Sequence, residues 1–128
     1  MPPRRPKPTA AELEILRVLW RRGPSTVHEI HPEIARGSRV GYTTVLKLLQ
    51  IMFEKGLVTR NGTSRPHVFK AAVAEGSVKK RLLTELLDQV FDGSTMSLVM
   101  HTLSAKRATP EEVRQLRQLL DDIEGGKS

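Results

Sequence analysis

The stretch GYTTVLKLLQIMFEK, residues 41–55, decides how the rest of this 128-residue chain is interpreted. Its apolar residues recur at i, i+3, i+4 and i+7: Val45, Leu48, Leu49 and Met52. That spacing predicts a helix that buries one apolar stripe. A different face carries Thr43, Lys47 and Gln50, and such hydroxyl, amide and ammonium groups suit the base edges of the DNA major groove. An ordinary surface helix has the same pattern, so the neighbouring segments must decide between the two.

The segment upstream predicts two shorter helices. Thr9 and Glu12 form a capping box that opens the first helix, which should end before Gly23-Pro24. The apolar residues of this helix are Leu13, Ile15, Leu16, Leu19 and Trp20. Thr26 and Glu29 form a second capping box, and a short helix should run from there to about residue 35. Pro32 lies in its first two turns, where proline is tolerated but can kink or shorten a helix.

The segment downstream predicts a β-hairpin. Residues 57–60 alternate like a strand, Asn61-Gly62 is a strong hairpin signal, and residues 67–70 form the returning strand, which leaves RNGTSR (60–65) as the tip. Three helices followed by a hairpin predict a winged helix-turn-helix domain. Its predicted DNA-binding residues are Arg39, Tyr42, Thr43, Thr44, Lys47, Arg60, Asn61, Thr63 and Arg65.

The charge of the chain supports a polyanionic partner. Residues 1–76 hold 13 Lys or Arg and 6 Asp or Glu, whereas residues 77–128 hold 8 of each. The net charge of +7 therefore lies in the first part. Few aromatic residues are present, which favours duplex DNA over single strands. Residues 1–8 are interpreted as a disordered arm, either a DNA arm using Arg4, Arg5 and Lys7 or a solvated tail without a role.

The residue composition and the absence of known motifs exclude several classes of protein. Cysteine is absent, so disulfides and thiolate metal sites are excluded. No long apolar run and no signal-peptide pattern are present, which predicts a cytoplasmic protein with no direct membrane association. His28, Glu29, His31 and Glu33 imitate a metal cluster but fit surface or half-buried positions on a helix better. No catalytic motif is found, so we expect no enzyme activity, no cofactor and no metal.

Residues 77–123 predict a helical dimerisation region, with residues 124–128 as a flexible tail. Thr109 and Glu112 make a third capping box, with Pro110 at the first helical position. Three amphipathic helices carry the apolar stripes: Leu82, Leu83, Leu86, Leu87, Val90, Met96, Leu98, Val99, Leu103, Val113, Leu116, Leu119, Leu120 and Ile123. So short a segment hardly covers these stripes alone, which predicts a homodimer. The alternative is that the region packs back on the winged helix of residues 9–76.

The order of TAAELEILRVLW (9–20), YTTV (42–45), KGLV (55–58) and GSTMSLV (93–99) resembles the penicillinase-repressor family, the BlaI/MecI group. The likeness covers residues 9–123. It implies a homodimeric repressor on dyad operators, released when a membrane-bound sensor protease system leads to repressor cleavage. The family's Asn-Phe cleavage bond corresponds here to His101 and Thr102, a departure from the pattern. Release by a small ligand in the C-terminal helices or by dilution of the dimer is therefore an alternative to cleavage.

Several functional alternatives remain beside that resemblance. The family's copper-responsive branch uses C-terminal cysteines and is excluded as a mechanism here, and a β-lactam signal, which would connect the chain to antibiotic resistance, is one option among many. A winged helix that binds an acidic protein and a nonspecific architectural DNA binder share the basic face. The fold class expected in every case is mainly α with a small β wing.

Overall fold

Six helices and two short strands form the described part of the computed structural model, which comprises residues 6–35, 39–63 and 65–126. In chain order the elements are α1 (Ala10–Arg22), α2 (Val27–Ala35), α3 (Tyr42–Lys55), β1 (Val58–Arg60), β2 (Phe69–Ala71), α4 (Glu75–Val90), α5 (Thr95–Ala105) and α6 (Pro110–Glu124). The predicted fold class, mainly α with a small β wing, is confirmed. The predicted arm residues Arg4 and Arg5 lie outside the described residues, whereas Lys7 is described and exposed.

The chain divides into two compact units, Met1–Lys80 and Arg81–Ser128. The first unit has its core where α1, α2, α3 and the strands meet. Its buried apolar side chains are Ile15, Leu16, Val18, Leu19, Val27, Ile30, Ile34, Val45, Leu49, Met52, Leu57, Val58 and Phe69. All of them come from helices and strands that the sequence pattern predicted, so hydrophobic burial explains why these elements associate.

The predicted capping boxes of α1 and α2 are both present. The Glu12 amide donates to Thr9 Oγ1 at 3.2 Å, and the Thr9 amide donates to Glu12 Oε1 at 2.9 Å. The equivalent distances between Thr26 and Glu29 are 3.3 and 2.9 Å. Each box satisfies backbone amides that have no partner inside the helix. Helix α2 continues through Pro32 to Ala35, so the proline does not end it.

Helix α3 ends at a glycine because the backbone there must turn left-handed. Gly56 has φ 82° and ψ 14°, and its amide donates to the carbonyls of Met52 and Phe53. A residue with a Cβ atom adopts this conformation at a cost, which explains glycine at this position. The turn directs the chain from α3 into β1.

The predicted hairpin is present, and its connection is longer than predicted. β1 pairs antiparallel with β2, with Arg60 opposite Phe69, so the connection is the eight-residue segment 61–68 rather than the predicted segment 61–66. The Asn61 amide donates to the Val68 carbonyl at 3.2 Å, and the Asn61 side chain accepts from the Val68 amide at 2.7 Å. Asn61 therefore closes a wide wing loop. The returning strand begins at Phe69, two residues later than predicted.

A third backbone segment fixes the position of the wing. Ser25, between α1 and α2, forms an isolated bridge with Phe69, with hydrogen bonds of 2.9 and 2.8 Å in the two directions. The Ser25 hydroxyl donates to the Gly23 carbonyl at 2.9 Å. Because Phe69 is held on both sides, by Arg60 and by Ser25, the bridge sets where β2 starts.

The described residues of the second unit form no buried core. Ser94 caps α5, and Thr109 and Glu112 form the predicted capping box of α6. No residue from 81 to 126 is buried. Of the predicted dimerisation residues, four are half-buried: Leu82, Leu87, Leu98 and Val113. The others are exposed: Leu83, Leu86, Val90, Met96, Val99, Leu103, Leu116, Leu119, Leu120 and Ile123.

Candidate nucleic-acid interface

Helix α3 presents a polar face to solvent. Its opposite face is fully buried, with Val45, Leu49 and Met52 at 0% exposure, and Leu48 packs against the same core. The predicted recognition residues on the outer face are all exposed: Thr43, Thr44, Lys47 and Gln50. Arg39, which precedes the helix, is exposed as well. The core therefore fixes the rotation of α3 and so determines which side chains face outward.

Tyr42 begins α3 in contact with α2. Its ring centroid lies 4.9 Å from that of His28 and 6.1 Å from that of His31. His31 is itself held because its Nε2 lies 2.8 Å from the Val40 carbonyl oxygen, to which it donates. The two histidines thus support the start of α3.

Among the described residues no group of three or more His, Cys, Asp or Glu side chains is placed to hold a metal ion.

The predicted wing residues differ in position: Arg60 lies in a strand, Asn61 closes the loop, and Thr63 and Arg65 lie exposed within the loop. Arg60 is the last residue of β1 rather than part of the tip, and its guanidinium carbon lies 4.3 Å from the centroid of the Phe53 ring near the end of α3. This cation–π contact keeps Arg60 beside the recognition helix. Asn61 is engaged with Val68, as described above. Thr63 and Arg65 are exposed in the loop.

Arg65 and Tyr42 come together at a cavity of about 190 Å³ between the start of α2, the start of α3 and the end of the wing loop. Its lining includes Thr26, His28, Leu46, His67 and Phe69. Sequence reasoning predicted Tyr42 and Arg65 separately, but it did not predict His28 and His67 beside them. His28 lies in α2 and His67 in the wing loop, far apart in the sequence, so no local pattern predicts that both line one cavity.

A buried ion pair, missed by sequence reasoning, holds the end of α3. Lys55 Nζ donates to both Oε1 and Oε2 of Glu12 at 2.9 Å, and the Glu12 side chain is 2% exposed. Burial alone would raise the pKa of the Glu12 carboxyl. The hydrogen bonds from Lys55 and from Thr9 outweigh burial and hold the pKa below its usual value. Glu12 therefore joins the start of α1 to the end of α3.

Two more acidic residues of the first unit are paired with arginine. Glu33 lies 2.9 Å from Arg21, and Glu29 lies 3.4 Å from Arg22. A hydrogen bond from the Thr26 backbone lowers the pKa of Glu29, and the charge of Arg22 acts in the same direction. These pairs join α1 to α2 and involve no residue of the exposed α3 face. Helix α3 itself has Lys47 on that face and no acidic residue before Glu54.

The candidate cleavage positions lie within helix α5. Thr102 Oγ1 donates to the Leu98 carbonyl at 2.7 Å, and His101 Nδ1 lies 2.9 Å from the Ser97 carbonyl oxygen. Both residues are exposed. The peptide bond between them belongs to a regular helix.

In the described residues no helix is long and apolar enough to cross a membrane.

A three-helix core with an exposed third helix, followed by a two-stranded wing, defines the winged helix-turn-helix class of DNA-binding domains. Comparison with known proteins narrows this class. The chain belongs to the penicillinase-repressor family, whose profile matches residues 8–122. This membership confirms the resemblance inferred from the sequence and identifies the chain as a transcriptional repressor rather than an enzyme.

The relatives match almost the whole chain at low identity. The Bacillus licheniformis penicillinase repressor is 23% identical over 122 residues, covering 95% of each chain. The Staphylococcus aureus penicillinase repressor is 22% identical over 113 residues, covering 88% of this chain and 90% of its own. The Mycobacterium tuberculosis transcriptional regulator BlaI is 28% identical over 117 residues, covering 90% of this chain and 83% of its own. A MarR family regulator from Silicibacter pomeroyi DSS superposes with a TM-score of 0.45 at 19% identity, covering 91% of this chain and 70% of that one.

Proposed function

We propose that the chain represses transcription by binding a dyad operator in duplex DNA as a homodimer. The observation that carries this proposal is the division of α3 into two faces. Val45, Leu49 and Met52 are buried, which turns Thr43 and Lys47 outward on the same helix. A helix anchored in this way can enter a major groove without exposing apolar surface.

Each side chain of the interface has a distinct proposed role. Lys47 donates to acceptors on base edges, and the Thr43 and Thr44 hydroxyls contact base edges or phosphates. Arg39 and Arg60 contact the backbone on either side of α3, and Thr63 and Arg65 do so from the wing loop. Asn61 closes that loop, so its contribution to DNA binding is to shape the loop as well as to contact the backbone.

The second unit supports the homodimer. Its exposed apolar side chains include Val90 at 62%, Met96 at 65% and Leu120 at 59% exposure. A groove of about 580 Å³ between α5 and α6 is lined by Leu103, Leu116 and other residues of these helices. Apolar surface of this extent is a typical interaction site. A twofold dimer would present two α3 helices about 34–36 Å apart, the spacing of half-sites one helical turn apart.

The test of DNA binding starts from a duplex selected out of a random library by the full-length protein. Lys47→Ala should weaken binding to that duplex by about 1–3 kcal/mol and relax preference at the base pairs it contacts. Lys79→Ala is the matched control, because Lys79 is an exposed cation of the same unit that pairs with Glu75 on α4. Selection of no preferred sequence, or equal affinity of both variants, would contradict the recognition role of α3.

The test of the homodimer uses one added charge at two positions of α6. Leu119 is 54% exposed on the apolar stripe, whereas Gln118 lies on the opposite side of the helix and hydrogen-bonds to Asp122. Leu119→Glu should shift the dimer toward monomer in sedimentation at micromolar concentration, and Gln118→Glu should leave it dimeric. A wild-type chain that sediments as a monomer at this concentration would rule out the dimer.

For release from DNA we propose cleavage between His101 and Thr102. Because this bond lies in helix α5, and proteolysis is favoured at exposed loops, α5 must unwind locally before it is cut. The cut would separate α6 from α4 and the first turns of α5, which divides the apolar surface of the second unit and lowers the avidity of the two half-sites. The test is a blot during induction: a fragment ending near residue 101 supports cleavage, and an intact 14.3 kDa chain throughout refutes it.

A further inference from the structure

The cavity between the start of α2, the start of α3 and the wing loop is lined on several sides by groups that donate hydrogen bonds. Its walls include the imidazoles of His28 and His67, the phenol of Tyr42 and the guanidinium of Arg65, and Phe69 contributes apolar lining. His67 Nδ1 is buried and has no hydrogen-bond partner among the residues that the structure describes. The hydrogen-bonding groups of this lining, from α2, α3 and the wing loop, suit a ligand that accepts hydrogen bonds.

The charges around this cavity select an anion. None of the described residues that line it carries a carboxylate. The nearest acidic residue in sequence, Glu29, is occupied by the Thr26 amide and by Arg22. The guanidinium of Arg65 supplies a positive charge at the cavity, and the His28 and His67 imidazoles supply N–H donors.

The size of the cavity fits a tetrahedral oxyanion. A volume of about 190 Å³ corresponds to about six water molecules in the liquid, which is enough for a phosphate group that keeps some of its hydration. The cavity also lies between Tyr42 at the start of α3 and Arg65 in the wing loop. A duplex held by α3 and the wing would pass its backbone over this place.

We infer that the cavity is a phosphate-binding site that receives one backbone phosphate of each operator half-site. This inference rests on the proposed DNA binding and specifies one contact within it. His28 and His67 donate to the phosphate oxygens from opposite elements, Arg65 covers them from the wing loop, and Tyr42 donates its hydroxyl from α3. The site therefore fixes the angle between recognition helix and wing on the DNA.

The experiment combines a neutral phosphate scan with two protein variants. Methylphosphonate is placed at one position at a time in the selected duplex, and affinity is measured by fluorescence anisotropy for full-length wild type and for His28→Asn/His67→Asn. We expect one position in each half-site where neutralisation costs wild type about tenfold but costs the double variant less than about twofold. All other positions should cost both proteins the same. His101→Asn, an exposed histidine of the second unit, is the matched control and should retain the wild-type profile.

A second variant, Arg65→Gln, tests the same contact without replacing the histidines, whose loss could disturb the wing. Arg65 is exposed, so Arg65→Gln should leave the fold intact and weaken the effect of the same methylphosphonate position. Trp20 fluorescence reports whether each variant keeps the first unit folded.

The outcomes separate this inference from the proposed function. Selective binding with the same methylphosphonate profile in wild type and both variants would overturn the phosphate site and leave α3 recognition intact. Failure of wild type to bind any duplex selectively would overturn the proposed function and the phosphate site with it. Saturable shifts of the His28 and His67 imidazole signals with inorganic phosphate, without any coupled methylphosphonate position, would assign the cavity to a free anion instead of DNA.

Discussion

Replacing Lys55 with methionine tests how strongly the buried ion pair stabilises the first unit. Lys55 Nζ lies 2.9 Å from both carboxylate oxygens of Glu12, whose side chain is 2% exposed, while the Lys55 side chain is 27% exposed. Methionine keeps the apolar stem but leaves a carboxylate buried without its cation. Removing one partner of a fully buried pair costs about 3–5 kcal/mol. Since water reaches Lys55, we expect a loss of about 2–3 kcal/mol in the free energy of unfolding.

The reverse substitution separates the charge from the helix cap. Glu12→Gln keeps an oxygen that accepts from the Thr9 amide, so the capping box survives while the charge is removed. Lys55 can then turn to solvent, and the cost should be about 1–2 kcal/mol. The double variant should lose less than the sum of the two single losses, with a coupling energy of about 1–2 kcal/mol.

Urea unfolding followed by Trp20 fluorescence measures these losses. Trp20 is the single tryptophan of the chain, and its Nε1 donates to the Val73 carbonyl at 3.0 Å within the first unit. Protein concentration must be the same for all variants, because dimerisation shifts apparent stability. Strictly additive losses, with coupling below about 0.5 kcal/mol, would refute the reasoning from the buried pair.

The same pair predicts a pH dependence with a definite sign. The pKa of Glu12 is lowered from 4.5 in the folded protein, so its stabilising contribution is present above pH 4.5 and is lost as the pH falls through the folded value. The difference in unfolding free energy between wild type and Glu12→Gln should therefore shrink below pH 4.5. A difference that stays constant from pH 7 to pH 3 would contradict the ion pair as its source.

Three further predictions concern local structure. Gly56→Ala should lower stability by about 1–2 kcal/mol in the same urea assay, because Gly56 has a left-handed φ of 82°, and Gly76→Ala, without a positive φ, is its control. Asn61→Ala should cost about 1 kcal/mol and speed hydrogen exchange of the Val68 amide, whereas unchanged exchange would contradict the wing closure. Thr109→Ala should cost about 1 kcal/mol and reduce protection of the first-turn amides of α6, with Thr95→Ala, which accepts no such amide, as comparison.

The sequence by itself determined the helices, their caps and their apolar faces. Each capping box joins residues three apart, and the stripe of α3 repeats within two turns, so the information is local. The pairs Thr9 with Glu12 and Thr109 with Glu112 could therefore be predicted with their hydrogen bonds. The exposed stripes of the second unit followed from the same periodicity, and the family from the order of short motifs.

Only the tertiary structure decided which distant residues meet. Lys55 and Glu12 are 43 residues apart, and Trp20 and Val73 are 53 apart, so no local pattern links them. The hairpin itself was predicted correctly, but its returning strand begins at Phe69, which bridges to Ser25, rather than at His67. The bridge joins two segments that are far apart in the sequence, so it requires the segment between α1 and α2 to lie beside the wing. Packing of the core also placed His28 and His67 at one cavity. Hydrophobic burial brings whole faces of helices and strands together. Side chains carried on those faces therefore meet although no sequence pattern links them.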